Sequence, residues 1–326
     1  MIPTLPLGAD GPQLPTLGLG CMGMSEFYGE TDDAQSLAVL ARAYELGVRM
    51  FDTADMYGNG HNEELLARFL KAGGRDAFIA TKFGIRKAPG EYARTIDNSP
   101  DYIREACDAS LKRLGVERID LYYVHRAEAG RPIEETVGVL ADLVRAGKIA
   151  HIGLSEVSAD TLRRAHAVHP VAAIQSEYSL TTRDMEAEVL PACRELGIAF
   201  VAYSPLGRGL LSGTMKSGDL AGNDFRLNAP RFAGDALEAN LARLDTLRMI
   251  ADQREATPSQ VALAWVLAKG VFAIPGTKRL SYLGQNIAAA SLRLSEDDIA
   301  KLDSAYAPGS FTGERYTAEG MKGVNA

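Results

Sequence analysis

Eight short apolar runs, spaced along the chain with helical segments between them, constrain this protein more than any other feature. They are Leu17–Leu19, Val48–Phe51, Phe78–Ala80, Ile119–Val124, Ile152–Leu154, Val171–Ile174, Ile198–Ala202 and Val271–Ile274. Most are rich in Val, Ile and Phe and lack clean polar alternation, as strands buried on both faces do.

The intervening segments carry helix punctuation. Ser99-Pro100 supplies a cap and a proline at the first helical position, and Gly115 closes the same segment. Thr257-Pro258 opens another helix, and Gly47, Gly147 and Gly197 end three more where left-handed backbone is wanted. Helical spacing also covers Asp33–Leu46, Glu63–Leu70, Ile133–Arg145, Ala159–Ala167 and Asp184–Leu196. Strand then helix, repeated without a composition shift, predicts an α/β fold: a (β/α)8 TIM barrel over a single domain, residues 1–326. A doubly wound open sheet is the competing architecture. Thr4–Leu7 and Gln13–Leu14 flank Asp10-Gly11, which predicts an N-terminal β-hairpin plugging the barrel's bottom. Residues 206–236 read as a long loop, either a functional lid or disordered. The polar tail 308–326 either folds over the barrel mouth or frays.

Net charge is -7, with 46% hydrophobic residues and no basic stretch interleaved with aromatics. Nucleic acid and anionic membrane are therefore poor partners. The longest apolar stretch, Val261 to Ala268, is too short to span a bilayer, and the N-terminus does not read as a signal peptide. Cys21, Cys107 and Cys193 match neither a disulfide framework nor a metal site, so a reducing cytoplasm and no metal are expected. A monomer is the default oligomeric state.

Gly18-Leu19-Gly20-Cys21-Met22-Gly23 fits a dinucleotide-binding fingerprint, but that motif must open directly into a helix. Met24 to Glu30 intervene before the caps Thr31 and Asp32. These glycines read instead as a tight strand-to-loop passage where backbone approaches something flat.

Four polar residues sit where strands end, the functional end of such a barrel. Asp52 follows Met50-Phe51 with Tyr57 in the next loop, Lys82 ends the third apolar run, and His125 ends the fourth. Singly, Asp52 serves as a helix cap, Tyr57 as rim packing, Lys82 as a solvated charge and His125 as a core histidine. Together, at one end of adjacent strands, they compose a proton-transfer site. A lysine at a strand mouth needs a carboxylate, and Asp52 is placed to supply it. A tyrosine beside that ammonium is expected to have a lowered pKa and to donate a proton near neutrality. No side chain supplies a hydride, so a nicotinamide cofactor is implied.

Phe51-Asp52-Thr53-Ala54-Asp55-Met56-Tyr57-Gly58, Thr81-Lys82-Phe83-Gly84 and Val124-His125-Arg126 resemble the aldo-keto reductase superfamily over essentially the whole chain. Gly20-Cys21-Met22-Gly23-Met24-Ser25 resembles its bacterial, fungal and plant branch related to perakine reductase. The resemblance implies that Asp52, Tyr57, Lys82 and His125 form the catalytic tetrad, with Tyr57 as general acid. It implies NADP(H) contacts at Gly23, Met24, Ser155, Glu156, Gln175, Tyr203, Ser204, Pro205, Leu206 and Arg208, and at Gly276, Thr277, Lys278, Arg279, Gln285 and Asn286. Ser155 and Gln175 match positions that hold the nicotinamide carboxamide, and Tyr203 the ring stacked on it. Glu156 stands where many members have Asn, and a carboxylate accepts but does not donate. Lys278 and Arg279 suit a ribose 2′-phosphate. Phe27, Tyr28, Phe83, Phe311 and Tyr316 are candidate pocket aromatics. The implied activity is NADPH-dependent reduction of aldehydes and ketones, small-molecule carbonyl substrates. The alternative is a nicotinamide-binding redox-sensing or partner-docking subunit with little turnover.

Overall fold

The computed structural model describes residues 2–87, 94–216, 218, 220 and 224–324. Parts of the loop expected at 206–236 and of the tail at 308–326 therefore lie outside the described residues. Strands β1 (Thr4–Pro6) and β2 (Gln13–Pro15) pair antiparallel as the expected hairpin. The turn differs from expectation. Leu7 N–H reaches Pro12 O at 3.0 Å, and the left-handed residue is Gly8, φ 73°, whose missing Cβ would lie 2.8 Å from Ala172 O. Contact with the barrel floor selects the glycine here, not the turn alone.

The barrel strands are β3 (Leu19–Gly20), β4 (Met50–Asp52) and β5 (Phe78–Phe83). A short antiparallel ladder, β6 (Ile85–Lys87) with β7 (Arg94–Ile96), follows, which the sequence reading does not anticipate. The rest are β8 (Ile119–Val124), β9 (Ile149–Ser155), β10 (Val171–Glu177), β11 (Ala199–Tyr203) and β12 (Phe272–Ala273). All eight run parallel in chain order. Bridges Leu17↔Ala273 and Gly20↔Gly276 join the first strand to the last. An added Cβ at Gly20 would fall 2.8 Å from Ile274 O, and at Gly18 3.0 Å from Met50 O. The flat object these glycines meet is thus the backbone of neighbouring strands, and the G-x-G serves barrel closure.

Between the strands lie α1 (Asp33–Glu45), α2 (His61–Ala72), α3 (Pro100–Leu114), α4 (Ile133–Arg145), α5 (Ala159–Val168) and α6 (Val189–Leu196). The helix expected over Asp184–Leu196 is broken into a 3-10 turn, Asp184–Glu186, and α6. In an unbroken helix the ring of Pro191 would clash with the Ala187 carbonyl, so the helix restarts with Pro191 in its first turn. After β11 the chain forms 3-10 turns at Gly207–Ser212, Phe225–Asn228 and Pro230–Phe232 rather than a structureless loop. Helices α7 (Asp235–Ala242) and α8 (Asp245–Gln253) follow, ahead of α9 (Pro258–Ala268). Leu210, Ala229, Phe232 and Leu237 bury a small satellite core there. α10 (Leu280–Ala288) and α11 (Glu296–Ala305) complete the ring.

Alternation along the strands divides the core in two. Met50, Phe78, Ala80, Leu121, Tyr123, Ala173, Val201 and Phe272 join Leu7 and Leu14 of the hairpin inside the barrel. Their neighbours Phe51, Ile79, Tyr122, Ile174 and Phe200 face the helices. Successive strand residues point to opposite faces, so Asp52, Lys82, His125, Ser155, Gln175, Glu177 and Tyr203 all share the inward parity. Parity aims the polar strand ends at one place.

Among the described residues, no helix is long and apolar enough to cross a membrane.

Candidate active site

At the mouth, strand geometry delivers Asp52 and Lys82 from adjacent strands with side chains almost wholly buried. Lys82 Nζ donates to Asp52 Oδ1 at 2.5 Å and to Thr53 O at 2.7 Å, and lies 3.4 Å from Tyr57 Oη. Gln175 Nε2 donates to Asp52 Oδ2 at 2.7 Å. The Tyr57 and His125 rings meet edge to face, centroids 5.9 Å apart. All four expected tetrad members therefore converge.

The Tyr57 loop is held in place from behind. Asn62, opening α2, donates to Cys21 O (2.9 Å) and Ser25 Oγ (2.6 Å) and accepts from Thr53 Oγ1 (2.6 Å). These ties hold residues 53–62 to the loop after β3 and fix the backbone that carries Tyr57.

Burial sets the protonation states. It raises the Asp52 carboxyl and lowers the Lys82 amine, and each partner's attraction opposes that drift. His125 is pushed well below 6.5 by burial and then by the Lys82 and Arg126 charges, so its ring is neutral. Tyr57 departs from the sequence expectation. Burial, then the Asp52 charge, holds its phenol well above 10. A phenol so placed keeps its proton through the neutral range, as a proton donor must.

On the opposite side of the mouth, Ser155 and Gln175 are buried at the ends of β9 and β10, and the Tyr203 ring stands half-buried at the end of β11. Glu156 is fully buried with left-handed backbone, φ 57°. Its oxygens are occupied: they accept from Glu177 N (2.9 Å), Tyr203 Oη (2.7 Å) and, bidentately, from Arg315 (3.0 Å each). Ser204, Gly207, Arg208 and Gly209 all have positive φ, a strained bend around Pro205 and Leu206. Arg208 donates to Glu177 Oε2 and to Arg315 O, both at 2.6 Å.

The adenosine-end candidates spread out. Gly276 backs onto Gly20, while Thr277 Oγ1 accepts from Arg279 N at 3.0 Å just before α10. Lys278 Nζ is engaged with Tyr28 O (2.7 Å) and Glu30 O (2.6 Å), tying the loop after β3 to this edge, whereas Arg279 is exposed. Asn286 is buried and Gln285 exposed on α10. Gly23 and Met24 lie in a 3-10 turn after β3.

Among the candidate aromatics, Tyr316 reaches the mouth, its hydroxyl 2.9 Å from that of Tyr203. Phe27 packs with Tyr57, and Phe27 and Tyr28 meet Phe225 edge to face. Phe83 does not line a pocket: it is fully buried, stacked on Tyr122. Phe311 stacks on Tyr306, away from the tetrad. Sequence reasoning assigned no part to Arg126, Glu177 and Arg315. Glu177 was findable by parity on β10. Arg315 was not, because only tertiary contact brings a tail residue to Glu156. The tail thus folds over the mouth.

The sequence profile of the aldo/keto reductase family matches residues 16–307. A probable aldo-keto reductase 1 of Glycine max is 46% identical over 314 residues, 95% of this chain and 90% of that protein. The aldo-keto reductase yakc [NADP(+)] of Schizosaccharomyces pombe is 45% identical, over 97% of this chain and 94% of its own. Among solved structures, glycerol dehydrogenase AKR11B4 from Gluconobacter oxydans superposes with a TM-score of 0.85 at 30% identity, covering 93% of this chain and 94% of its own. The barrel, the strand-end constellation and these similarities agree: the chain belongs to the aldo/keto reductase family, a family of NAD(P)H-linked oxidoreductases.

Proposed function

We propose that the protein reduces aldehydes and ketones to alcohols with NADPH, and that Tyr57 is the general acid. The observation that carries this is the Tyr57 hydroxyl, 3.4 Å from Lys82 Nζ, beside a neutral His125 and the buried Lys82–Asp52 pair. The surrounding donor set suits a nicotinamide. Ser155 and Gln175 offer donors and acceptors for a carboxamide, and the half-buried Tyr203 ring offers a stacking face. A bound reduced nicotinamide supplies the hydride that the carbonyl carbon receives. His125, whose ring meets that of Tyr57 edge to face, orients the carbonyl oxygen. Tyr57 releases its proton to that oxygen as the C=O bond becomes C–O. Lys82, held by Asp52, favours the transient phenolate, which solvent reprotonates.

NADP(H) rather than NAD(H) is favoured by the exposed Arg279 beside the start of α10 and by the yakc relative, whose name carries NADP(+). We read residues 1–326 as one working domain, a monomer acting on small molecules in the cytoplasm. The free, buried cysteines Cys21, Cys107 and Cys193 suit a reducing compartment.

The test is NADPH oxidation, followed by absorbance, with a panel of aldehydes. Tyr57→Phe should lower kcat by about 10²–10⁴-fold while NADPH binding holds. Turnover in the variant equal to that of the natural protein would overturn the assignment.

A further inference from the structure

Arg126 is 5% exposed, yet no carboxylate lies within 4.0 Å of it among the described residues. Its Nη1 donates inward, to His125 O at 2.6 Å and to Ser155 Oγ at 3.1 Å. Nε is buried without a partner, and no hydrogen bond from Nη2 is made among the described residues. The Nε–Nη2 edge, the planar fork that fits a carboxylate with two parallel bonds, is therefore unbonded among the described residues, with Nη2 its less enclosed nitrogen. Neighbouring arginines differ: Arg208 is paired with Glu177 and Arg315 with Glu156. A buried guanidinium left unpaired is costly, so a fold that keeps one has usually reserved it for a ligand.

Its place fixes which ligand. Arg126 follows His125 in the chain, and its charge acts on Tyr203, Tyr316, Glu156 and Tyr57, all at the barrel mouth. The backbone is pinned, since Asn98 Nδ2 donates to Arg126 O at 2.9 Å. The tail walls the other side, with Gly323 close enough that an added Cβ would lie 3.4 Å from the Arg126 Cβ. Pinned, charged and desolvated, the guanidinium is bonded to Ser155 at the proposed nicotinamide position and lies within electrostatic reach of Tyr57, the proposed proton donor.

We propose that Arg126 is a specificity-determining residue that receives a carboxylate on the substrate, so that the preferred substrates are carbonyl compounds bearing a carboxylate near the carbonyl. This rests on the reductase reading above. The ammonium of Lys82 does not compete, being committed to Asp52 and the Thr53 carbonyl.

The experiment compares 2-carboxybenzaldehyde, its neutral methyl ester and benzaldehyde as substrates of the natural protein, Arg126→Gln and Arg126→Lys. Binding of benzoate to each NADPH-loaded protein is measured by calorimetry. The natural protein should favour the acid over the ester in kcat/KM on the order of 10–100-fold, as charge-assisted hydrogen bonds allow. Arg126→Gln should reduce that ratio to within about threefold and abolish benzoate binding, with Arg126→Lys intermediate because it keeps the charge but loses the fork. A natural protein with no preference for the acid overturns the proposal, and needs no variant to fold. So does an equal loss on acid and ester in the variants, which would assign Arg126 to general stabilisation of the developing oxyanion. Failure to reduce even benzaldehyde removes the reductase reading instead, and benzoate binding lost in Arg126→Gln would still support the anion site.

Discussion

Arg315→Met tests the tail's hold on the mouth. The substitution keeps most of the aliphatic bulk and removes the cation bonded to both oxygens of Glu156 at 3.0 Å. That carboxylate is completely buried, and the Arg315 side chain is 2% exposed. Two of its donors survive, the Glu177 N–H and the Tyr203 hydroxyl. Breaking a buried pair from one side costs about 3–5 kcal/mol, and the surviving hydrogen bonds place this case near the lower end, about 3 kcal/mol. In a chain of this size that is a fall in Tm of about 4 °C. Urea unfolding followed through the fluorescence of Trp265, the sole tryptophan and fully buried, reads the loss. Adding Glu156→Gln should recover about 2 kcal/mol, because no uncompensated charge then remains inside. Arg315→Met within about 1 kcal/mol of the natural protein, or additivity in the double mutant, would refute the reasoning.

Other expectations follow from single contacts. Gly20→Ala places a Cβ 2.8 Å from Ile274 O at the barrel's closing seam, so equilibrium unfolding should show a loss of about 1–3 kcal/mol. Asp55 carries a carboxyl pushed up to about 7, by burial first and then by the Glu63 charge. A carboxyl raised in the folded state contributes stability at low pH that is lost as pH rises through about 7. Asp55→Asn should therefore stabilise the protein at pH 8 relative to its effect at pH 5, by on the order of 1 kcal/mol in paired unfolding curves. An equal effect at both pH values would contradict this.

Much of the site was legible because the chemistry is distributed by strand number. Asp52, Lys82 and His125 end successive apolar runs, and a parallel barrel brings the ends of successive strands together whatever the loops do. What failed was local in the sequence yet decided elsewhere. The helix over 184–196 looked continuous by periodicity until the ring of Pro191 is set against the Ala187 carbonyl. Phe83 looked like a pocket aromatic beside Lys82, but one step along a strand reverses the side chain, and it lies in the core on Tyr122. The insertion after β11 lacked periodicity, and its 3-10 turns are held by packing among Leu210, Phe232 and Leu237 from separated positions.

Periodicity, punctuation and strand parity thus determined the barrel, the plugging hairpin and the inward aim of Asp52, Lys82 and His125, since these depend on residues within one strand–helix unit. The tertiary structure alone decided the electrical state of the site. Tyr57 is held above its ordinary pKa, not below it, by burial of the phenol first and then by the Asp52 charge, a balance no spacing encodes. It also decided that Arg315, 159 residues from Glu156, neutralises that carboxylate, while Arg126 is buried without one among the described residues. Pairing of buried charges depends on distances across the fold and on excluded water, and both come into being only when the chain has closed.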